Sequence, residues 1–313
     1  MSNDKQADEA LIALLGALKA RSYQFTTVGN PTHRRVTSRP GMERGRTLRD
    51  AFGWSLAFDP DEFDPTIMAL LQRSGFLLEH EHGVCSAIRV SSLDGDLFAH
   101  SRWPANKTDA VFFGPDTYRF AAFVRSNIPP LGERDTIIDL GTGSGAGGIV
   151  AKRAAPHART ILSDVNPVAL RLAAVNAAAA GLEVRVAQAS GADAAPPGVS
   201  VILANPPFIA GDGGRTYRDG GDTLHGSQMS LDWIREGLPK LAPGGRLLMY
   251  TGATIVEGND EFFSALSHAI DPGEFELQYQ ELDPDIFGSE LARAAYRDAE
   301  RIAAVGVKIT RQP

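Results

Sequence analysis

Near the start of the chain, apolar positions return every three or four residues. Leu11, Ile12, Leu15 and Leu18 follow the acids Asp4, Asp8 and Glu9, a spacing that predicts an amphipathic helix over 7–20. Helical spacing returns over 62–78 and is interrupted at Gly75. From Cys85 to Trp103 the pattern is that of strands on either side of an Asp94–Gly95 turn, which predicts a β-hairpin. Helices followed by a hairpin predict a small winged-helix-like unit. With no basic recognition helix in it, packing or partner binding is the expected use.

A different rhythm begins near Val111. Short apolar runs at 136–140, 160–165, 183–188, 199–204 and 245–252 have strand length, and helical stretches at 166–181 and 230–241 lie among them. Gly181 stands where a helix ends, and "APGG" (242–245) stops the second stretch. Such alternation predicts right-handed βαβ units and an α/β fold with a doubly wound, mostly parallel sheet. Residues 274–280 and 301–310 read as two further strands. Residues 289–300 between them are helix-like, either a surface helix or a lid. The change of rhythm divides the chain into an N-terminal unit, 1–108, and a second unit, 109–313.

Composition adds limits. In 313 residues, 43% are hydrophobic and 22% charged, so a sizeable core is within reach. The net charge of -7 argues against a protein that coats nucleic acid, but leaves room for a local basic patch. His33 to Arg49 holds six arginines and one glutamate, which reads as a solvated loop or as a patch for RNA or an acidic partner. Cys85 is the single cysteine, so no internal disulfide or cysteine-based zinc site is expected, and no metal site is read. The N-terminus has acids where a secretory signal wants positive charge, and no run approaches the roughly 18 apolar residues of a membrane span. A cytoplasmic protein is expected.

Two stretches carry candidate chemistry. "DLGTGSGAGG" (139–148) joins a strand to a helix that begins near Ala146. Gly141, Gly143 and Gly145 permit a tight turn and close approach of a ligand to the helix N-terminus. Gly141, Gly143 and Ala146 also satisfy the dinucleotide pattern, and Asp164 ends the next strand, where an acid receives ribose hydroxyls or caps the following helix. The turn therefore indicates an adenosine-containing cofactor and does not say which. The second stretch is "NPPF" (205–208), after the strand 199–204. That strand should run beside 136–140, which brings Asn205 to the mouth of the same crevice. Pro206 and Pro207 hold the backbone extended and offer no donors. The remaining acceptors, the Asn205 side-chain oxygen and the Pro206 carbonyl, match a group with two N–H bonds, and Phe208 can stack on a planar group.

With these motifs the chain resembles the class I S-adenosylmethionine-dependent methyltransferases that carry an Asn-Pro-Pro-aromatic motif. The resemblance covers roughly 111–313. "GPDTYRF" (114–120), "SDVNPVALRLAAVNA" (163–177) and "LANPPFIAG" (203–211) are similar to segments of the enzymes that methylate the glutamine of peptide release factors. Small-domain enzymes that methylate RNA base nitrogens share the set. The resemblance implies a seven-stranded sheet whose last two strands are antiparallel. It implies that Asp139, Gly141, Thr142, Gly143, Gly145, Asp164, Val165, Ser190 and Asn205 bind S-adenosylmethionine, and that Asn205, Pro206 and Phe208 hold the acceptor nitrogen. Ser190, Ser200 and Tyr118 depart from residues usual in the release-factor branch. The implied reaction is N-methylation of a protein glutamine or an RNA base. A small-molecule N-methyltransferase, a non-catalytic binding module and a nicotinamide oxidoreductase stand as alternatives. In the glycine-rich stretch 212–226, Tyr217, Arg218 and His225 are placed to reach over a substrate, with His225 left unassigned as a base.

Overall fold

A computed structural model describes residues 3–211 and 219–313. The N-terminal part opens with α1 (Asn3–Ala20), α2 (Asn30–Thr37), α3 (Leu48–Phe52) and α4 (Pro65–Arg73). α1 buries Leu11, Leu14, Leu15 and Leu18 and packs on α4. α4 starts where the Asp64 carboxylate accepts from the amides of Thr66 and Ile67, with Pro65 in the first helical position.

Two hairpins follow, β1 (Leu77–His80) with β2 (Gly83–Ser86), and β3 (Ile88–Leu93) with β4 (Asp96–Ser101). The second turns at Asp94 and Gly95, both with positive φ (51° and 83°), as a two-residue hairpin turn requires. The sequence reading has one hairpin over 85–103. Cys85 belongs instead to β2 and pairs with Leu78. The Ser86 hydroxyl donates to the Ile88 carbonyl at 2.8 Å where the chain passes from one hairpin to the next.

The remainder runs α5 (Pro115–Asn127), β5 (Thr136–Leu140), α6 (Ala146–Ala154), β6 (Arg159–Asp164), α7 (Pro167–Ala179), β7 (Arg185–Gln188), β8 (Val199–Ala204), α8 (Gln228–Gly237), β9 (Leu241–Val256), β10 (Asn259–Asp260), α9 (Glu261–Ala269), β11 (Phe275–Asp283) and β12 (Arg301–Arg311). Across the sheet the order is β11-β12-β9-β8-β5-β6-β7, with β10 beside β9. β9, β8, β5, β6 and β7 are parallel neighbours, and β12 is antiparallel to both β9 and β11. This is the doubly wound, mostly parallel sheet that the strand–helix rhythm predicts.

Two local expectations change. "APGG" lies inside β9. The pairing jumps from Val199–Leu241 to Val201–Arg246, so 242–245 bulge out, with Gly244 at φ 74°. Residues 289–300 are not one helix but two 3-10 turns, Gly288–Ala292 and Ala294–Tyr296. Burial of Tyr296, 1% exposed, against the segment after β8 overrides a helix-forming composition.

α5 and α6 pack on one face of the sheet, α8 and α9 on the other. A third apolar cluster joins α1 and the hairpins to Ala169, Leu172 and Val175 of α7. Arg171 reaches Asp8 at 2.6 Å, and the buried Asp96 accepts from Arg153 at 2.7 and 2.8 Å. We propose 108/109 as a boundary of topology, with packing continuous across it. Among the described residues, no helix is long and apolar enough to cross a membrane.

Candidate active site

β5, β6, β7 and β8 end within one residue of the same level, and β9 runs on past them. Ala187, Ser163, Leu140, Ala204 and Met249 form one row of paired residues across β7, β6, β5, β8 and β9. The next residue of three neighbouring strands is Asp164, Gly141 and Asn205. Adjacent strands lie about 4.8 Å apart, so the sheet sets these three side by side at its carboxyl edge. There, ligands of doubly wound folds bind.

The glycine turn is closed by its own residues. Asp139 is 1% exposed, and its Oδ2 accepts from the Thr142 hydroxyl at 2.6 Å and the Gly148 amide at 2.8 Å. The positive end of α6 thus meets the protein's own carboxylate. Asp139 Oδ2 and the Thr142 hydroxyl are used within the turn itself. Burial pushes the Asp139 carboxyl up to about 6, against the pull of those two donors. The glycines divide by role. A Cβ on Gly141 would meet the Trp233 ring at 2.7 Å, and one on Gly145 would meet Ala173 at 3.1 Å. On Gly143 (φ 54°) the nearest atom would be the Phe112 carbonyl at 4.0 Å, so the backbone is open to a ligand there.

Asp164 is half-buried at the rim. Its Oδ2 accepts from the Gly143 amide at 2.9 Å and its Oδ1 from the Asn166 amide at 2.9 Å. Burial raises its carboxyl above the ordinary value, and those amides oppose the rise. The helix cap is supplied by Asn166, whose side chain accepts from Val168. Val165 beside it is 60% exposed, an apolar surface left bare at the crevice. Ser190 is exposed before the 3-10 turn Gly191–Ala194.

Asn205 is half-buried, and among the described residues neither its side chain nor the Pro206 carbonyl makes a hydrogen bond. Phe208 packs inward. Its ring is 8% exposed and packs edge-on to Tyr250 (6.3 Å) and Phe287 (5.7 Å), against the bare backbone of Gly252. It anchors the loop from within.

Tyr217 and Arg218 lie outside the described residues. His225 turns away from the crevice. Nδ1 meets Glu261 at 3.0 Å, Nε2 meets Asp298 at 3.1 Å, and the ring stacks on Tyr296. The Tyr296 hydroxyl accepts from the Ala210 amide at 2.8 Å and donates to the His225 carbonyl at 3.1 Å, while Arg293 donates to the Ala210 carbonyl at 2.7 Å. The 288–299 segment therefore holds the chain that follows Asn205.

Two residues escaped the sequence reading. Trp233 of α8 lies between Gly141 and Gly191, spanning the turns after β5 and β7; an aromatic on an amphipathic helix carries no local sign of that position. Asn176 of α7, fully buried, donates to the carbonyls of Ser144 (2.9 Å) and Ala99 (3.0 Å) and accepts from the Ala99 amide (2.8 Å). It ties β4 to the glycine turn. A lone amide inside an alanine-rich helix was the available signal.

Among the described residues, no group of three or more His, Cys, Asp or Glu is placed to hold a metal ion. The fold is a sheet domain of class I methyltransferase type. Residues 119–251 match the methyltransferase small domain family. Over 136 residues the chain is 38% identical to the release factor glutamine methyltransferase of Cereibacter sphaeroides, covering 38% of this chain and 47% of that protein. Over 222 residues it is 28% identical to the ribosomal RNA small subunit methyltransferase C of Pseudomonas aeruginosa, covering 67% of this chain and 57% of the relative. The chain thus spans about half the length of these curated relatives. In structure it is similar to a Pyrococcus horikoshii protein described as a transferase, with a TM-score of 0.51, 10% identity and 75% of each chain covered; that likeness concerns the fold.

Proposed function

We propose that the chain transfers a methyl group from S-adenosylmethionine to a planar nitrogen of a protein amide or an RNA base. One observation carries the reading: Asn205 and Pro206 present acceptors with no hydrogen-bond partner among the described residues, one strand away from the open backbone of Gly143.

The residues fit the cofactor. Each Asp164 oxygen spends one lone pair on a backbone amide and keeps another for a ribose hydroxyl. Val165 and Trp233 offer apolar surface for an adenine ring. When bound, the cofactor supplies a methyl group carried on a sulfonium. The Asn205 side-chain oxygen and the Pro206 carbonyl accept the two N–H bonds of the acceptor group. Held this way, the nitrogen leaves conjugation and its lone pair is aimed, through positioning and preorganised electrostatics. His225 is engaged elsewhere, so the proton released by the nitrogen passes to water. A single, free cysteine, Cys85, is compatible with a reducing, cytoplasmic setting.

The test is incubation with methyl-tritiated S-adenosylmethionine and separated protein, RNA and metabolite pools. Label entering protein or RNA supports the proposal. Label entering only small molecules ends the macromolecular reading, and no cofactor binding by calorimetry removes the enzyme reading altogether.

A further inference from the structure

Several surface arginines of this protein meet a carboxylate. Arg21 pairs with Asp64, Arg119 with Asp283, Arg153 with Asp96, Arg171 with Asp8 and Arg301 with Glu281. Arg34, Arg35 and Arg39 do not. All three are exposed, and among the described residues none makes an ion pair or a side-chain hydrogen bond. In a chain of net charge -7, this is a local positive field left uncompensated.

The inner side of the same helix is aromatic. His33, fully buried, stands 4.4 Å from the Trp103 ring and 5.4 Å from the Trp54 ring, and neither ring nitrogen has a hydrogen-bond partner. A histidine without hydrogen bonds acts through its ring, as a flat spacer between two indoles. Burial, and then Arg89, holds it uncharged, down at about 4. Trp54 and Trp103 are only partly covered, and both pack against the His33 face of the helix that carries Arg34 and Arg35.

The patch is linked to the crevice at two places. The Thr27 amide, just before α2, donates to the Tyr118 hydroxyl of α5 at 3.0 Å. Beyond Trp103 the chain runs to Asp109, whose carbonyl accepts from Asn166 at 2.9 Å, and on to Phe112 beside Gly143.

We propose that Arg34, Arg35, Arg39, Trp54 and Trp103 form a surface that binds RNA with unpaired bases. The inference rests on the methyltransferase reading above and deepens it, naming RNA as the acceptor class. Guanidinium forks match phosphodiester oxygens, and indoles stack on unstacked bases. An acidic peptide would use the charges but not the paired tryptophans.

The test is fluorescence anisotropy of the full chain with a fluorescein-labelled RNA stem-loop carrying an unpaired purine loop. R34Q/R35Q/R39Q is expected to weaken binding at least about ten-fold and to lower the slope of log affinity against log salt by about two. Trp103→Ala is expected to weaken it by about five- to one hundred-fold. The three arginines are exposed, so an unchanged melting midpoint of the triple variant shows that its fold is intact. Calorimetric titration of S-adenosylmethionine into the same proteins should be unchanged. A wild type that fails to take up the cofactor yet binds the stem-loop sinks the enzyme reading and not this surface. Equal RNA affinity of the wild type and the triple variant overturns the inference. So does poly-glutamate binding the wild type as tightly as the RNA, which would indicate a protein partner.

Discussion

On the glycine-turn side of the crevice, the Asp139 carboxylate is engaged by the Thr142 hydroxyl and the Gly148 amide, Asn176 ties down Ser144, and Trp233 lies against Gly141. Across the crevice, Asn205 and the Pro206 carbonyl have no such partner among the described residues, while Phe208 beneath them is packed into the core. Both stretches stand out in the sequence for unusual residues after a strand. The difference teaches that a motif residue can serve by building the turn or by meeting the ligand, and that its unspent hydrogen bonds distinguish the two. A buried polar group without a partner costs about 1–3 kcal/mol, so acceptors left open at a crevice mark where a ligand is expected.

The largest effect should come from breaking the closed wall. Asn176→Ala leaves the Ala99 amide and carbonyl and the Ser144 carbonyl without their partner in the interior. It should cost about 3–5 kcal/mol in denaturant unfolding. Next, two glycines separate packing from ligand approach. Gly141→Ala meets Trp233 and should cost about 2–3 kcal/mol, against about 1 kcal/mol for Gly143→Ala. Calorimetry should nonetheless find S-adenosylmethionine binding weakened in Gly143→Ala.

A smaller effect is pH-dependent. The folded Asp139 lies at about 6, above the ordinary 3.8. Its protonated form therefore favours the fold, fully so below pH 3.8, and that contribution is lost as pH rises through about 6. Asp139→Asn keeps an oxygen for both donors and cannot ionise. Its stability relative to wild type should rise across that window by about 1–2 kcal/mol, measured by unfolding at each pH. A flat difference would show that the carboxylate is not confined as described. The smallest effect belongs to the open wall. Tyr296→Phe removes the hydroxyl that joins Ala210 to His225 and should cost about 1 kcal/mol, with slower methyl transfer and unchanged cofactor affinity.

Much of this arrangement was legible from the chain. Strands β5, β6 and β8 and the start of α6 at Ala146 follow from apolar runs and glycines. Strand order placed Asn205 beside Gly141, because a doubly wound sheet reverses there. What was not legible depends on distant partners. Nothing near Phe208 says that Gly252 leaves room for its ring. Nothing in 289–300 says that Tyr296 would be drawn into the core and split a helix-forming run into two turns. Nothing in the local sequence says that the Thr142 hydroxyl and the Gly148 amide would share one Asp139 oxygen.

The most direct measurement is the methyl-transfer rate of Asn205→Ala at a cofactor concentration shown by calorimetry to be saturating. A fall of about 10²- to 10³-fold with unchanged cofactor affinity is the expected result. Transfer at the wild-type rate would contradict the assignment of the open acceptors to the substrate nitrogen.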